Sequence, residues 1–112
     1  MAFNAHYEIE NNIAKITLSG ELDAASAPVF KAEVEKAAEH TPRAVALMMH
    51  ELDYMASAGI RVLIFAKQKM GAGIHMYAVA PQPQIVETLE MTGLTYSIEV
   101  MDKFDPSVVD NQ

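Results

Sequence analysis

No cysteine occurs among the 112 residues. That excludes disulfides, thiolate metal sites and a cysteine nucleophile, and a cytoplasmic setting is expected. An apolar run long enough to cross a bilayer, about 18 residues or more, is also absent. The opening MAFNAHYEIE has neither a basic start nor an apolar centre, so it does not read as a secretory signal. Basic residues are scarce: 8 Lys and Arg stand against 15 Asp and Glu, for a net charge of −7. Phosphate-backbone binding runs on clustered cations, so nucleic acid is not an expected partner. The acidic balance better suits a basic protein partner. Arg61, Lys67 and Lys69 form a small basic group that reads as a solvated helix face. Glycine-rich phosphate loops are missing, since neither G-x-G-x-x-G nor G-x-x-x-x-G-K occurs. His50-Glu51 begins an H-E-x-x-H zinc motif, but Tyr54 stands where the second histidine should. His6, His40, His50 and His75 are otherwise isolated and read as surface or satisfied strand residues. Neither a metal nor a cofactor is expected.

What is present is an alternation of strand and helix patterns. Tyr7 and Ile9 alternate with polar neighbours, Asn11-Asn12 intervenes, and Ala14, Ile16 and Leu18 alternate in turn. This predicts a β-hairpin over residues 5–19, with asparagines supplying the positive φ of its turn. Gly20-Glu21-Leu22-Asp23 leaves the second strand. Ser26 is the expected N-cap of a helix running to about Glu39, with Pro28 in its first turn and Phe30, Val34 and Ala37 facing inward. Ala44 to Met49 is a continuous apolar run, as in a central strand covered on both faces. A loop over Leu52–Ser57 then leads to a second helix, about Ala58 to Met70, with Ile60, Leu63 and Ile64 as its inner face. Gly71-Ala72-Gly73 ends it. Ile74 to Ala80 reads as a strand, and Pro81 and Pro83 open a third helix with Ile85, Val86 and Leu89 inward. Gly93 is its expected C-terminal cap residue. Tyr96 to Met101 reads as a last strand, Asp105-Pro106-Ser107 as the start of a short helix, and the tail from Val109 is expected to fray. Most of the methionines, Met48, Met49, Met70, Met76 and Met91 among them, fall at core-like positions. The expected fold is one α/β domain over residues 1–112, with its core at about 5–105. Its sheet is mixed but mostly parallel, four to five strands packed with about four helices and joined by right-handed crossovers.

The chemistry centres on Met55-Ala56-Ser57-Ala58-Gly59. A small serine stands where a strand and loop end and a helix begins, beside the positive end of a helix dipole. The stretch resembles a nucleophile elbow, G-x-S-x-G, without its first glycine. Such an elbow needs an acid and then a histidine further along. The one later histidine, His75, lies inside an expected strand with no orienting acid, so a small serine hydrolase is the weakest reading. Ser57 otherwise reads as the N-cap of the second helix, worth about 1 kcal/mol. A sharper and compatible reading is a phosphorylation site, where about −2 of charge would change the surface without unfolding the helix. Met55 reads as a soft exposed contact. Phe65, with Val62 and Lys69, forms a second stripe on the helix, which either packs on a neighbouring helix or offers an interaction patch.

Three motifs in order carry a resemblance: Gly20-Glu21-Leu22-Asp23 after the hairpin, Leu52 to Gly59 before the second helix, and Met91-Thr92-Gly93-Leu94 after the third. Together they resemble the STAS domain family, and most closely its bacterial anti-sigma factor antagonists, over about residues 5–105. The resemblance implies a non-enzymatic, cytoplasmic protein that binds an anti-sigma factor, often a serine kinase of GHKL-type fold, and so frees a sigma factor. Phosphorylation by that kinase at the start of the second helix breaks the complex, and a PP2C-type phosphatase reverses it. Ser57 falls on the phospho-acceptor and Asp23 on the acidic position near it. The implied partner surface is Asp23, Met55, Ala56, Ser57, Ala58, Gly59, Arg61, Val62 and Phe65. Ala56 stands where the family pattern, D-S-S-G or D-T-S-G, has an acid. The alternative is a STAS subunit of another assembly, a signalling complex or a lipid-transport machine, with no sigma factor. Oligomeric state is left open.

Overall fold

The computed structural model describes residues 2–71 and 73–110. Asn11 and Asn12 take left-handed conformations, φ 53° and 62°, at little cost for asparagine. They fold β1 (Asn4–Glu10) back on β2 (Ile13–Leu22) as an antiparallel pair. β2 runs three residues beyond the expected hairpin, so Gly20, Glu21 and Leu22 belong to the strand and only Asp23 leaves it. Gly20 sits at φ 86°, where a Cβ would collide with the Ala2 carbonyl.

β3 (Ala44–Met55) is twice the expected length, because the expected Leu52–Ser57 loop is mostly strand. The reason is two register shifts against β2, one between Thr17 and Ser19 and one between Gly20 and Glu21. Each inserts extra residues in β3, as bulges do. Met49, Leu52 and Met55 are therefore buried at every third position, with His50, Glu51, Asp53 and Tyr54 exposed between them. Where β4 (His75–Val79) ends, side chains replace the ladder. Gln82 Nε2 donates to the His50 carbonyl at 3.2 Å and Gln84 Nε2 to the Asp53 carbonyl at 2.9 Å.

The sheet has five strands in chain order, β1 to β5, with one antiparallel pair and three parallel ones. α1 (Ala27–Ala38), α2 (Ser57–Met70) and α3 (Pro83–Met91) supply the main core with one face of the sheet. A thinner layer covers the other face: Ile13, Ala44, Ala46, Tyr77, Val79 and Val109, the last from α4 (Pro106–Asp110). Val109 is buried, which corrects the expectation of fraying at that residue, while 111 and 112 lie outside the described residues.

Other differences are local. Gly71 ends α2 at φ 111°, as the glycine exit requires, and Ala72 lies outside the described residues. The buried residues of α2 are Gly59, Val62, Leu63 and Ala66; of the expected Ile60, Leu63 and Ile64, Leu63 is buried, Ile60 packs partly buried against the core, and Ile64 is 45% exposed. Met91 is exposed at the end of α3, not core. Gly93, in the left-handed region at φ 76°, starts a 3-10 turn over Leu94–Tyr96. The last strand, β5, therefore begins only at Ile98 and ends at Met101.

Candidate functional site

Two chain segments meet at the carboxyl ends of β2 and β3. Leu22 pairs with Met55, and the Ala56 N–H donates to the Leu22 carbonyl at 2.8 Å, one step past the ladder. That bond sets the Asp23 turn beside the start of α2. Ala56 is the N-cap by geometry, φ −83° and ψ 173°, and its carbonyl accepts from Gly59 at 2.9 Å and Ile60 at 3.3 Å. Ser57 is the first helical residue, not the cap as expected. Its hydroxyl is exposed and caps nothing. The Ser57 and Ala58 N–H groups meet no acceptor among the described residues. They are the free donors that every helix start leaves and that favour negative charge.

Gly59 explains how α2 comes so close. A Cβ there would lie 2.7 Å from Leu22 Cδ2 and 2.8 Å from Met55 Cγ, both atoms of buried side chains. The same packing removes three residues from the expected partner surface, Gly59 itself among them. Met55 is 5% exposed and Val62 7%, so neither is a surface contact. Phe65 is half-buried against the core, with the Lys31 ammonium 4.8 Å from its ring centroid, and so mainly joins α2 to α1.

On the Asp23 side, a closed turn forms. Asp23 Oδ1 accepts from the Ser26 N–H at 2.9 Å and lies 2.9 Å from Ser26 Oγ, which in turn accepts the Asp23 N–H at 2.9 Å. Ser26 is thus the N-cap of α1 by position only, since its hydroxyl turns back to Asp23. The Ser26 amide first, and its hydroxyl second, hold the exposed Asp23 carboxyl below its ordinary value of 3.8. The carboxylate is committed to its own turn rather than to Ser57.

The exposed residues in line with Ser57 on α2 are Arg61, Ile64 and Gln68, spaced four, three and four apart along one helix face. Tyr54, just before the helix, is also exposed. Arg61, one turn from Ser57, has no ion-pair partner among the described residues. Ile64 escapes the sequence reading because a large apolar residue there looks like core, and Tyr54 because the segment before the helix reads as a loop. The helical spacing from Ser57 was the signal that could have found Ile64. No histidine or carboxylate hydrogen-bonds Ser57 among the described residues, so nothing at hand would take its proton as a triad would. No group of three or more His, Cys, Asp and Glu able to hold a metal occurs among them either. No helix among the described residues is long and apolar enough to cross a membrane.

Solved structures with this architecture include an anti-sigma factor antagonist from Mycobacterium paratuberculosis, 19% identical, with a TM-score of 0.86 over 97% of this chain and 93% of that one. A STAS domain protein from Planctomyces limnophilus is 13% identical, with a TM-score of 0.83 over 96% and 97%. The Bacillus cell fate determinant SpoIIAA, in its phosphorylated form, is 18% identical, with a TM-score of 0.69 over 98% of each chain. At these identities the likeness is one of fold. Sequence carries the assignment further: the family model for the STAS domain matches residues 4–111, and the chain belongs to the STAS domain family.

Proposed function

We propose that this chain is an anti-sigma factor antagonist. It docks the start of α2 on a GHKL-type serine kinase in the cytoplasm and releases a sigma factor. It is switched off when the kinase moves the γ-phosphoryl of ATP to Ser57 Oγ, leaving ADP, and a PP2C-type phosphatase hydrolyses the phosphate away. The observation that carries this reading is Ser57 itself, an exposed hydroxyl at the first helical position with no base beside it. Such a group is poor as a nucleophile of its own and open to a kinase. The α2 dipole and the unpaired Arg61 one turn on both favour a phosphate there. Asp23 and Asp53, near the ends of β2 and β3, are both exposed, so added negative charge would make this end of the sheet more acidic and disfavour an acidic partner face. The docking surface is then Asp23, Tyr54, Ala56, Ser57, Arg61 and Ile64, with Gly59, Met55 and Val62 supporting it from below. One of the structural neighbours, SpoIIAA, has been solved in a phosphorylated form, which agrees with the reading.

The test is a pull-down with wild type, Ser57→Ala and Ser57→Asp as baits. Wild type and Ser57→Ala should recover a GHKL-type kinase, and Ser57→Asp should bind it at least about tenfold more weakly, a loss of ~1.4 kcal/mol. Its melting temperature should not fall, because a carboxylate in the first turn suits the dipole. Equal binding by Ser57→Asp would sink the switch. Ala56, in place of the family's acid, is what favours the second reading, a STAS subunit of a signalling complex or lipid-transport machine. Recovery of such a subunit with no kinase would put that reading first.

A further inference from the structure

The two edges of the sheet are treated differently. At the β1 edge the outward Tyr7 N–H donates to Glu33 Oε1 of α1 at 3.1 Å, so a side chain already occupies it. The β5 edge has no such cover. The Met101 carbonyl accepts the Ala80 N–H at 2.7 Å on the β4 side. Backbone groups alternate along a strand, so those of Ile98 and Val100 point to the open side. Among the described residues they meet nothing outside the sheet.

An open pocket of about 490 Å³ lies along this edge, lined by His75, Tyr77, Glu90, Tyr96, Glu99 and Val100 among others. Its apolar lining is exposed in part: Tyr96 is 96% accessible, and Val100 is also open to solvent. Large apolar groups beside an unpaired strand edge mark a binding surface or an aggregation hazard. The charges decide what fits. Glu90 and Glu99 are its acidic groups and neither is in an ion pair, while His75 is the one basic group in the lining. Two copies meeting edge to edge would bring like carboxylates together on a chain of net charge −7, which opposes self-association. A basic strand meets no such barrier.

We propose that the β5 edge accepts an extended basic segment of a partner protein as a sixth strand. The two faces of β5 set its pattern. Ile98 belongs to the helix-side core, so Val100 shares that face, while Glu99 pairs with Tyr77 on the α4 side. The incoming strand therefore alternates, apolar side chains over Val100, cationic ones over Glu99. This surface is separate from Ser57, so it would operate in either phosphorylation state.

The probe is a blocked heptapeptide of alternating lysine and valine, titrated into the ¹⁵N-labelled chain and followed by NMR. Saturable shifts are expected at the Ile98 and Val100 amides. A glutamate–valine peptide of the same length should bind at least about tenfold more weakly, and Glu99→Lys should reverse that order. Val100→Pro removes the outward donor and leaves the β4 ladder intact, as proline at an edge can, so it should abolish the shifts without unfolding the chain. No saturable shift at β5, shifts centred on β1, or equal binding of both peptides would overturn the proposal. A concentration-dependent dimer lost on Glu99→Lys or Val100→Pro would overturn it too, in favour of a second copy.

Discussion

At the scale of single residues, the part of the site legible in the sequence is the part that follows from side-chain chemistry. Ser57 as an exposed hydroxyl at a helix start can be read from Ala56-Ser57-Ala58-Gly59 alone. Whether serine caps the helix or enters it cannot, because a one-residue shift in the helix start separates the two and neither choice changes the pattern. The cap falls to Ala56 because its N–H is drawn into the end of the β2–β3 ladder, which holds it in extended backbone. Asp23 presents a similar case. Its place beside the helix start follows from the motif order, but its pairing with Ser26 is a turn that spacing only permits. That pairing has a titration signature. The Asp23 carboxyl titrates below its ordinary 3.8, so the stability it contributes is present above the unfolded value and is lost as pH falls through the lower, folded one. Carboxyl NMR of Asp23 should give a midpoint below 3.8 in wild type, and Ser26→Ala should raise it toward that value. A wild-type midpoint at or above 3.8 would contradict the turn.

At the scale of elements, α1 reads correctly and α2 does not, for one physical reason. α1 buries Phe30, Val34 and Ala37 at regular helical spacing, with the large Phe30 and Val34 marking the face. α2 lies so close to the ends of β2 and β3 that small residues are selected on its inner face, Gly59 and Ala66 among them. A hydrophobic pattern ranks Ile64 above either, and so turns the helix the wrong way. β3 fails differently: its bulges replace the period of two with a period of three over Met49, Leu52 and Met55, so half a strand resembles a loop. The close approach of α2 makes a direct prediction. Gly59 has no positive φ to forgive, so Gly59→Ala acts through the methyl alone, which must push aside Leu22 and Met55. Overpacking of this kind costs about 1–3 kcal/mol. Urea unfolding should show a loss in that range, together with weaker partner binding, because the displaced segment carries Ser57. A neutral Gly59→Ala would mean that the α2 start has room the packing does not show.

At the scale of the whole molecule, the order of elements and the mixed sheet are legible because each strand–helix unit carries its own period. The second, thinner core layer is not, since α4 is short and its contribution rests on one buried residue, Val109. That layer also holds a cost. Tyr77 is buried, and its hydroxyl meets no partner among the described residues, a condition that disfavours the fold by roughly 1–3 kcal/mol relative to a paired hydroxyl. Burial first, and the Glu99 carboxylate second, raise its phenol above the ordinary 10.0. Ionising it is therefore harder in the folded chain than in the unfolded one, and this group withdraws stability as pH rises past 10.0. Removing residues 105–112 uncovers the layer. It should cost about 1.5–3 kcal/mol for the lost Val109 burial, and ultraviolet titration should show the Tyr77 phenol moving back toward 10.0. In the full-length chain, Tyr77→Phe should match or exceed wild-type stability, and should lose less of it in alkali. If truncation left both the unfolding midpoint and the phenol titration unchanged, α4 would not be the lid of this layer, and the sheet face behind Tyr77 would have to be covered by something else.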